Sequence, residues 1–248
     1  MEQVLLVTGA SRGIGAATAL IAARKGYAVA VNYTANAQAA QEVVSRIRAE
    51  GGKAIAVQAD VADEEQVLNL FKAVDAQLGR LTALVNNAGV VDVTARLDEM
   101  SVARLKRMFD INVIGSMVCA REAVRRMSTR HGGSGGAIVN VSSAAARLGA
   151  PGQYLDYASA KGAIDTFTIG LAKEVAAEGI RVNGVRPGLI DTEIHASGGL
   201  PGRVQQLAHL VPMQRGGSAE EVAEAIVWLL SPQASYTTMS LIEVSGGR

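Results

Sequence analysis

Residues 4–15 read VLLVTGASRGIG, and this stretch decides the fold. An apolar run ends in a turn with three glycines, and a helical pattern follows. In this order, backbone N–H groups and the helix dipole can meet a pyrophosphate. We expect Gly9, Gly13 and Gly15 to permit the tight turn, close phosphate approach and close helix-to-strand packing. The alternative is a purely structural glycine turn.

Short valine-rich runs alternate with longer helical segments along the rest of the chain. The runs occupy residues 4–8, 28–33, 54–58, 83–86, 137–142 and 180–185, and a last one is expected at 240–244. This alternation predicts parallel, buried strands joined by helices. The fold class is therefore α/β: a single-domain Rossmann fold over residues 1–248, with a doubly wound, mostly parallel seven-stranded sheet flanked by helices on both faces. Long helices are predicted at 101–127 and 157–177, and another begins near Ser218.

Composition limits the partners. The 248 residues carry a net charge of +1, which gives no strong field to recruit nucleic acid or an anionic membrane. Cys119 is the only cysteine, and no apolar run is long enough to span a bilayer. The chain begins without a basic leader, so we expect no secretion signal and a cytoplasmic location. The expected partners are small molecules or further copies of the chain, and no metal site is predicted.

The end of the second predicted strand bears on cofactor choice. NAD-preferring folds commonly place a carboxylate there, whereas this chain has Asn32, Tyr33 and Thr34. A 2′-phosphate is then not repelled, and Arg12 in the glycine turn could reach it with a charge-assisted fork. NADP(H) is therefore favoured over NAD(H). The alternative for Arg12 is a solvated loop arginine.

Tyr157 and Lys161 lie four residues apart and so share one helix face. An ammonium beside a phenol stabilises the phenolate, so we expect Lys161 to lower the pKa of Tyr157 toward neutrality. The phenol would then serve as an acid/base. By itself the spacing also fits a packed aromatic residue with a solvated lysine.

Together these motifs resemble the short-chain dehydrogenase/reductase family over essentially the whole chain. The glycine turn at 8–15, the Asp60-Val61 pair, the NNAG sequence at 86–89 and the PG motif from Arg186 occur in the family's order. The resemblance implies cofactor contacts at Gly9, Ser11, Arg12, Gly13, Ile14, Gly15, Asn32, Tyr33, Thr34, Asp60, Val61, Asn87, Ala88, Gly89, Tyr157, Lys161, Pro187, Gly188, Ile190 and Thr192.

The resemblance also implies a catalytic set of Asn112, Ser143, Tyr157 and Lys161. The activity is then an NADP-dependent oxidoreductase reaction (EC 1.1.1.-), with hydride passing between nicotinamide and a carbonyl or secondary alcohol. Tyr157 would act as acid/base, Ser143 would bond the carbonyl oxygen, Lys161 would bind the ribose, and Asn112 would anchor a water. A buried asparagine that satisfies backbone groups is the alternative for Asn112.

Two positions depart from the family pattern. Ser143 lies one residue farther from the tyrosine than the family's serine, which we interpret as a one-residue insertion in the loop at 144–156. Ser142 is the alternative candidate for the catalytic serine. Met239 stands where related chains usually carry a glycine, which would affect packing or assembly.

Substrate and assembly are less defined. Residues 190–215 are predicted to form a substrate lid, in which His195 receives no role. Within the family, the chain most resembles 3-oxoacyl-carrier-protein reductase-like and glucose-dehydrogenase-like members. The family resemblance also implies a homotetramer. A catalytically silent redox sensor acting through a protein partner is the competing function, although such sensors typically lose the tyrosine or lysine. Sugar-nucleotide epimerisation fits poorly because it goes with a longer C-terminal region.

Overall fold

The computed structural model describes residues 3–248; Met1, Glu2 and the side chains of His195 and Ser197 lie outside that description. Seven strands form one sheet in the order β3-β2-β1-β4-β5-β6-β7, and every neighbouring pair is parallel. The predicted fold class is confirmed. The strands are β1 (Gln3–Val7), β2 (Tyr27–Tyr33), β3 (Ala54–Gln58), β4 (Ala83–Asn86), β5 (Gly136–Val141), β6 (Ile180–Pro187) and β7 (Leu241–Val244).

Helices connect the strands and cover the sheet. The described residues contain α1 (Gly13–Arg24), α2 (Ala37–Ala49), α3 (Glu64–Gln77), α4 (Val102–Phe109), α5 (Gly115–Met127), α6 (Ala145–Leu148), α7 (Leu155–Val175), α8 (Ile194–Ser197), α9 (Arg203–Leu207) and α10 (Ala219–Leu230). Short 3₁₀ turns occur at Leu97–Glu99, Thr129–His131, Ala176–Glu178, Ala208–Leu210 and Pro232–Ala234. In the part of the chain described, no helix has the length and apolar character needed to cross a membrane.

The start of α10 agrees with the sequence. Ser218 accepts a hydrogen bond from the Glu221 N–H at 3.2 Å, and Glu221 accepts one from the Ser218 N–H at 2.8 Å. This reciprocal capping satisfies two N–H groups that the helix itself leaves unbonded. The predicted start near Ser218 is therefore confirmed.

The predicted helix over 101–127 is interrupted. A π-turn over Asp110–Ile114 joins α4 to α5, and the Gly115 N–H donates to the Asp110 carbonyl. A π-turn inserts an extra residue into the helical repeat, and such turns occur frequently at functional sites. Periodicity alone could not reveal it, because the apolar stripe continues on both sides.

Each face of the sheet has its own hydrophobic core. Along β1, Leu5 and Val7 belong to the core covered by α1, α2 and α10, whereas Val4 and Leu6 belong to the core covered by α3, α5 and α7. Successive strand residues point to opposite faces, so one strand supplies both cores. The stripe predicted for α3, namely Val67, Leu70, Phe71, Val74 and Leu78, is buried in the second core.

Strand order sets the position of the site. From β1 the chain proceeds outward to β2 and β3, then returns to place β4 on the other side of β1. The order reverses between β1 and β4, and ligands of open parallel sheets bind beyond the strand ends at such a point. The glycine turn follows β1, the NNAG sequence overlaps the end of β4, and the serine pair follows β5.

Candidate active site

The glycine turn is packed so closely that side chains would not fit. Gly9 has a φ of +60°, and a Cβ there would lie 2.9 Å from Cα of Ala88. A Cβ on Gly15 would lie 2.5 Å from Nδ2 of Asn87. Both distances are below normal contact, so these glycines bring the turn against the segment that follows β4. This turn, the cofactor cradle, therefore presents backbone without side chains, as the binding of a pyrophosphate requires.

Hydrogen bonds hold this turn in place. Asn87 Nδ2 donates to the carbonyls of Thr8 at 2.8 Å and Gly9 at 3.0 Å. The Thr8 hydroxyl in turn accepts from the backbone N–H groups of Asn87 and Ala88, both at 3.0 Å. The turn and the NNAG segment therefore form one rigid unit.

Asn32 supports the turn from the other side. Its Oδ1 accepts from the Gly9 N–H at 3.1 Å, and its Nδ2 donates to the Ala59 carbonyl at 3.0 Å. The side chain is buried, and these bonds engage both of its polar atoms. The Asn32 side chain thus supports backbone groups, whereas Thr34, two residues further along the chain, is exposed.

The adenine pair predicted after β3 has a defined local structure. Asp60 accepts from the Ala62 N–H at 3.0 Å, and its own N–H donates to Gln66 at 2.9 Å. Val61 is buried, and its carbonyl lies 2.7 Å from the position of a Cβ on Gly115. This turn therefore packs on the start of α5.

Lys161 is buried on α7, with its ammonium directed at the end of β5. Nζ donates to the Val141 carbonyl at 2.7 Å and lies 5.6 Å from the centroid of the Tyr157 ring. Loss of solvent lowers the pKa of Lys161 to about 8, and the negative charge of Asp165 opposes that shift. The lysine is thus poised to change charge close to physiological pH.

The pKa predicted for Tyr157 is wrong in direction. Burial raises the pKa of this phenol above its ordinary value, and a hydrogen bond from Ser143 only opposes the shift. Loss of hydration disfavours the phenolate, while Lys161 directs its ammonium to a carbonyl oxygen. Tyr157 is therefore a protonated phenol at neutral pH, the form that can donate a proton.

Ser142 and Ser143 have different hydrogen-bond partners. Ser142 is buried and donates to Asp165 Oδ1 at 2.6 Å and to the Lys161 carbonyl at 3.2 Å. Ser143 lies within hydrogen-bonding reach of Tyr157, and its hydroxyl also accepts from the Ala145 N–H at 3.1 Å. The geometry therefore favours Ser143 as the serine that acts with the tyrosine.

The segment between Ser143 and α7 is not a plain loop, and the insertion predicted there stays a prediction. It contains α6 and three residues with positive φ: Gly149 at 73°, Ala150 at 46° and Gly152 at 68°. Left-handed residues reverse the chain within a short span. The prediction of a plain loop over 144–156 therefore missed the one-turn helix.

Asn112 lies in the π-turn, where its side chain binds backbone. Its Oδ1 accepts from the Val90 N–H at 3.2 Å, and its Nδ2 donates to the Met108 carbonyl at 3.0 Å. A Cβ on Gly89 would lie 2.7 Å from that Oδ1 and 3.6 Å from Lys161 Nζ. Asn112, Gly89 and Lys161 thus meet at one point, and the asparagine satisfies backbone groups there.

One cavity of about 410 Å³ unites much of the predicted site. Ser143, Tyr157 and Lys161 line it together with predicted cofactor contacts from the turn, the NNAG segment and the PG motif: Ile14, Asn87, Gly89, Pro187, Gly188, Ile190 and Thr192. Thr192 also approaches the turn, since its Cγ2 lies 3.3 Å from the position of a Cβ on Gly13. The lining described for the cavity does not include Asn112 of the predicted catalytic set. It also lacks the predicted cofactor contacts Gly9, Ser11, Arg12, Gly13, Gly15, Asn32, Tyr33, Thr34, Asp60, Val61 and Ala88.

Sequence reasoning missed two charged residues near the site. Asp165 bonds Ser142 and also accepts from Arg186 at 2.9 Å, which links α7 to β6. Its spacing of four residues from Lys161 was the available signal. Arg203 lines the cavity from α9, and no local pattern marks it.

Comparison with known proteins extends these observations. Residues 9–248 match the family model described as enoyl-(acyl carrier protein) reductase. The chain is 59% identical over 245 residues to YgfF, an uncharacterised oxidoreductase of Escherichia coli strain K12, with 99% of each chain covered. It is 40% identical over 246 residues to a 3-oxoacyl-(acyl-carrier-protein) reductase of Synechocystis, covering 99% of this chain and 96% of that one. A solved structure of a mutant Serratia marcescens short-chain dehydrogenase/reductase superposes with a TM-score of 0.91 at 35% identity, covering 99% and 97% of the two chains.

Proposed function

Since the chain belongs to the short-chain dehydrogenase/reductase family, we propose that it is an NADP(H)-dependent oxidoreductase that acts on a carbonyl or secondary alcohol. The observation that carries this proposal is the convergence of Ser143, Tyr157 and Lys161 on one cavity beside the glycine turn. The bound cofactor supplies or accepts the hydride. The remaining chemistry belongs to the side chains of this protein.

In carbonyl reduction, Tyr157 donates its phenolic proton to the oxygen as negative charge develops there. Ser143 lies within hydrogen-bonding reach of Tyr157, so the single proton of its hydroxyl can be donated either to the phenolate or to the substrate oxygen. Lys161 keeps a positive charge near the ring. Because burial favours the protonated phenol, the resting site is prepared for reduction.

The cofactor preference rests on the end of β2 and on the glycine turn. Thr34 and its neighbours supply no carboxylate there, and Arg12 is exposed at the start of α1. We expect a much lower KM for NADPH than for NADH. Arg12→Gln should raise the KM for NADPH and leave that for NADH near its starting value. Equal KM values for the two cofactors in the unmodified protein would remove the preference.

A single substitution tests the acid. Tyr157→Phe should lower turnover about 10²- to 10⁴-fold in an NADPH-oxidation assay, while NADPH binding measured by fluorescence persists. The assay panel contains simple ketones, β-ketoesters, quinones and sugars, with alcohol oxidation run in reverse. Retained turnover would exclude Tyr157 as the acid. NADPH binding without turnover of any compound would favour the redox-sensor alternative.

We also propose a homotetramer in the cytoplasm. Apolar side chains on the α4–α5 segment and α7 remain exposed in the single chain, including Phe109, Ile114, Met117 and Ile169. Helical faces of this kind suit contacts between identical copies.

A further inference from the structure

Among the described residues, the charged side chains that line the cavity beside Tyr157 are all cationic. Among the described residues that line it, the ionisable chains that are charged at neutral pH are Lys161, Arg203 and Arg248, and no Asp or Glu contributes. Lys161 is already assigned to the catalytic set. Arg203 and Arg248 therefore bring cationic character that the proposed hydride transfer does not require.

Arg203 is the more informative of the two. Its Nη2 donates to Gln153 Oε1 at 2.7 Å, and its guanidinium carbon lies 5.2 Å from the centroid of the Tyr154 ring. Both partners are neutral and line the same cavity. Stacking on an aromatic ring fixes the plane of the guanidinium, while the bond to Gln153 uses one of its five N–H donors.

Other arginines of the chain pair with carboxylates. Arg147 contacts Glu243 at 2.9 Å, Arg186 contacts Asp165 at 2.9 Å, and Arg215 contacts a glutamate on α10. Each of these has a carboxylate of this protein as partner. Arg203, by contrast, is oriented by the neutral side chains of Gln153 and Tyr154, and no Asp or Glu side chain in the described part of the chain forms an ion pair with it.

The position of Arg203 assigns it to the substrate rather than the cofactor. Arg203 stacks on Tyr154, the residue just before α7, and Tyr154, Tyr157 and Arg203 all line the same cavity. Arg203 is held by Gln153 and Tyr154, whereas the predicted cofactor contacts of this cavity come from the glycine turn, the NNAG segment and the PG motif. A molecule with its carbonyl at Tyr157 could thus reach Arg203 with a group a few carbon atoms away.

We propose that Arg203 binds an anionic oxygen group of the substrate, so that the preferred substrates are small oxo acids and the corresponding hydroxy acids. This inference rests on the proposed function. A planar guanidinium pairs with a carboxylate through two parallel hydrogen bonds. Val91, Leu148 and Tyr154 line the cavity as well, and they offer apolar surface to a short carbon chain. In the reaction, oxo acid, NADPH and one proton give hydroxy acid and NADP⁺.

Matched substrates test the charge. We compare 4-oxopentanoate, 5-oxohexanoate and 6-oxoheptanoate with their methyl esters, and hydroxyacetone phosphate with hydroxyacetone, by NADPH oxidation. The expected result is a higher kcat/KM for at least one anion than for its neutral partner, expressed mainly in KM. A preference for carboxylates over the phosphate identifies a carboxylate subsite, and the reverse identifies a phosphate subsite. Equal values within every pair would overturn the proposal.

Variants test the residue. Arg203→Met should lower the ratio of kcat/KM for the acid to that for its ester about 30-fold, because a hydrogen-bonded charge pair is lost. Arg203→Lys, which keeps the charge and loses the fork, should give an intermediate ratio. Lys173→Met removes an exposed cation from α7 and should leave the ratio at its starting value. An unchanged ratio in Arg203→Met would overturn the assignment.

A binding measurement separates this inference from the proposed function. In the NADP⁺-bound protein, where the oxo acid cannot be reduced, the oxo acid should raise the melting temperature at lower concentrations than its ester, and Arg203→Met should abolish that difference. If no compound is turned over but the acid binds through Arg203, the proposed function fails and the anion subsite stands. If ketones are turned over and acid and ester bind alike in both proteins, the subsite fails and the proposed function stands.

Discussion

Ser142 and Ser143 are adjacent in sequence, yet their hydroxyl groups face different partners. Ser142 contacts Asp165 and the backbone of Lys161, whereas Ser143 faces Tyr157. Successive residues leaving a strand point to opposite sides, so a shift of one position exchanges a structural role for one beside the reacting groups. The exact register of this pair matters more than the presence of a serine.

Substitution of each serine should therefore give a different result. Ser143→Ala should lower kcat about 10²-fold, the typical loss when one donor to a developing oxyanion is removed. Ser142→Ala should instead lower the free energy of unfolding by about 2 kcal/mol, because Asp165 loses a buried donor. Steady-state kinetics and urea unfolding measure the two effects. Loss of turnover in Ser142→Ala with normal turnover in Ser143→Ala would reverse the assignment.

Lys161 should make reduction depend on pH. Its pKa of about 8 means that the ammonium is present below that pH and is lost as pH rises through it. We expect kcat/KM for NADPH, which reports the free enzyme, to fall above about pH 8.

Asp165 provides the test of that assignment. Its charge raises the pKa of Lys161, so Asp165→Asn should lower this pKa further and move the fall in kcat/KM to lower pH. Asp75→Asn, which removes an exposed carboxylate paired with Arg126, is the control and should leave the profile in place. A profile that Asp165→Asn does not move would contradict the coupling of the two groups.

The sequence predicts some properties of the individual site residues and not others. The shared helix face of Tyr157 and Lys161 could be predicted from their spacing, because both residues lie on one helix. The pKa direction of Tyr157 could not be predicted, because it depends on how much solvent the folded site removes. The sequence could not reveal the role of Arg203 either, since this residue contacts Tyr154 from a separate helix, α9, in the predicted lid at 190–215.

At the scale of elements, glycine has opposite effects in two helices. Gly15 in α1 has the Asn87 amide and the Gly9 carbonyl less than 3 Å from the position of its absent Cβ. Gly170 in α7 is exposed, and nothing described lies within 4 Å of that position. The first glycine permits packing of the helix on the turn, while the second lowers the helix propensity of α7 and has no packing role within the single chain.

Alanine at the two positions should separate these effects. Gly15→Ala forces the turn away from the segment after β4, so it should weaken NADPH binding and lower stability. Gly170→Ala should stabilise the protein by about 1 kcal/mol, which is the difference in helix propensity. Cofactor titration and thermal unfolding provide the measurements. Tight NADPH binding by Gly15→Ala would show that the close contact at the turn is not required.

The elements themselves were largely predictable, because a parallel sheet reads as alternating apolar runs and helical stripes. Two local features were not. The π-turn at Asp110–Ile114 leaves the apolar stripe intact, so periodicity passes over it. Met239 stands where the family resemblance implies a glycine, and its φ of 65° lies in the left-handed region that favours glycine.

For the whole molecule, the exposed apolar residues on the α4–α5 segment and α7 bear on assembly. Ile169 is 37% exposed on α7, the helix that also carries Tyr157 and Lys161. If four copies associate through these faces, the active site rests on a helix that the assembly supports.

Charge on that face should break the assembly. The unmodified protein is expected to sediment at four times the 25.7 kDa of one chain. Ile169→Glu should yield smaller species, because a carboxylate buried between copies without a partner is costly. Gln77→Glu makes the same charge change at the exposed end of α3 and should remain tetrameric. Sedimentation of the unmodified protein as a monomer would exclude the proposed state.

The central position of β1 has a consequence for synthesis. The first strand made pairs with β2 on one side, but its partner on the other side is β4, at residues 83–86. Until that segment leaves the ribosome, the nascent chain presents an unpaired apolar strand edge, which is the kind of surface that promotes aggregation. The glycine turn that follows β1 is completed by Asn87 and Ala88, only just beyond β4. The same late step therefore closes the sheet and completes the nucleotide cradle, so a ribosome-bound fragment ending before β4 has neither.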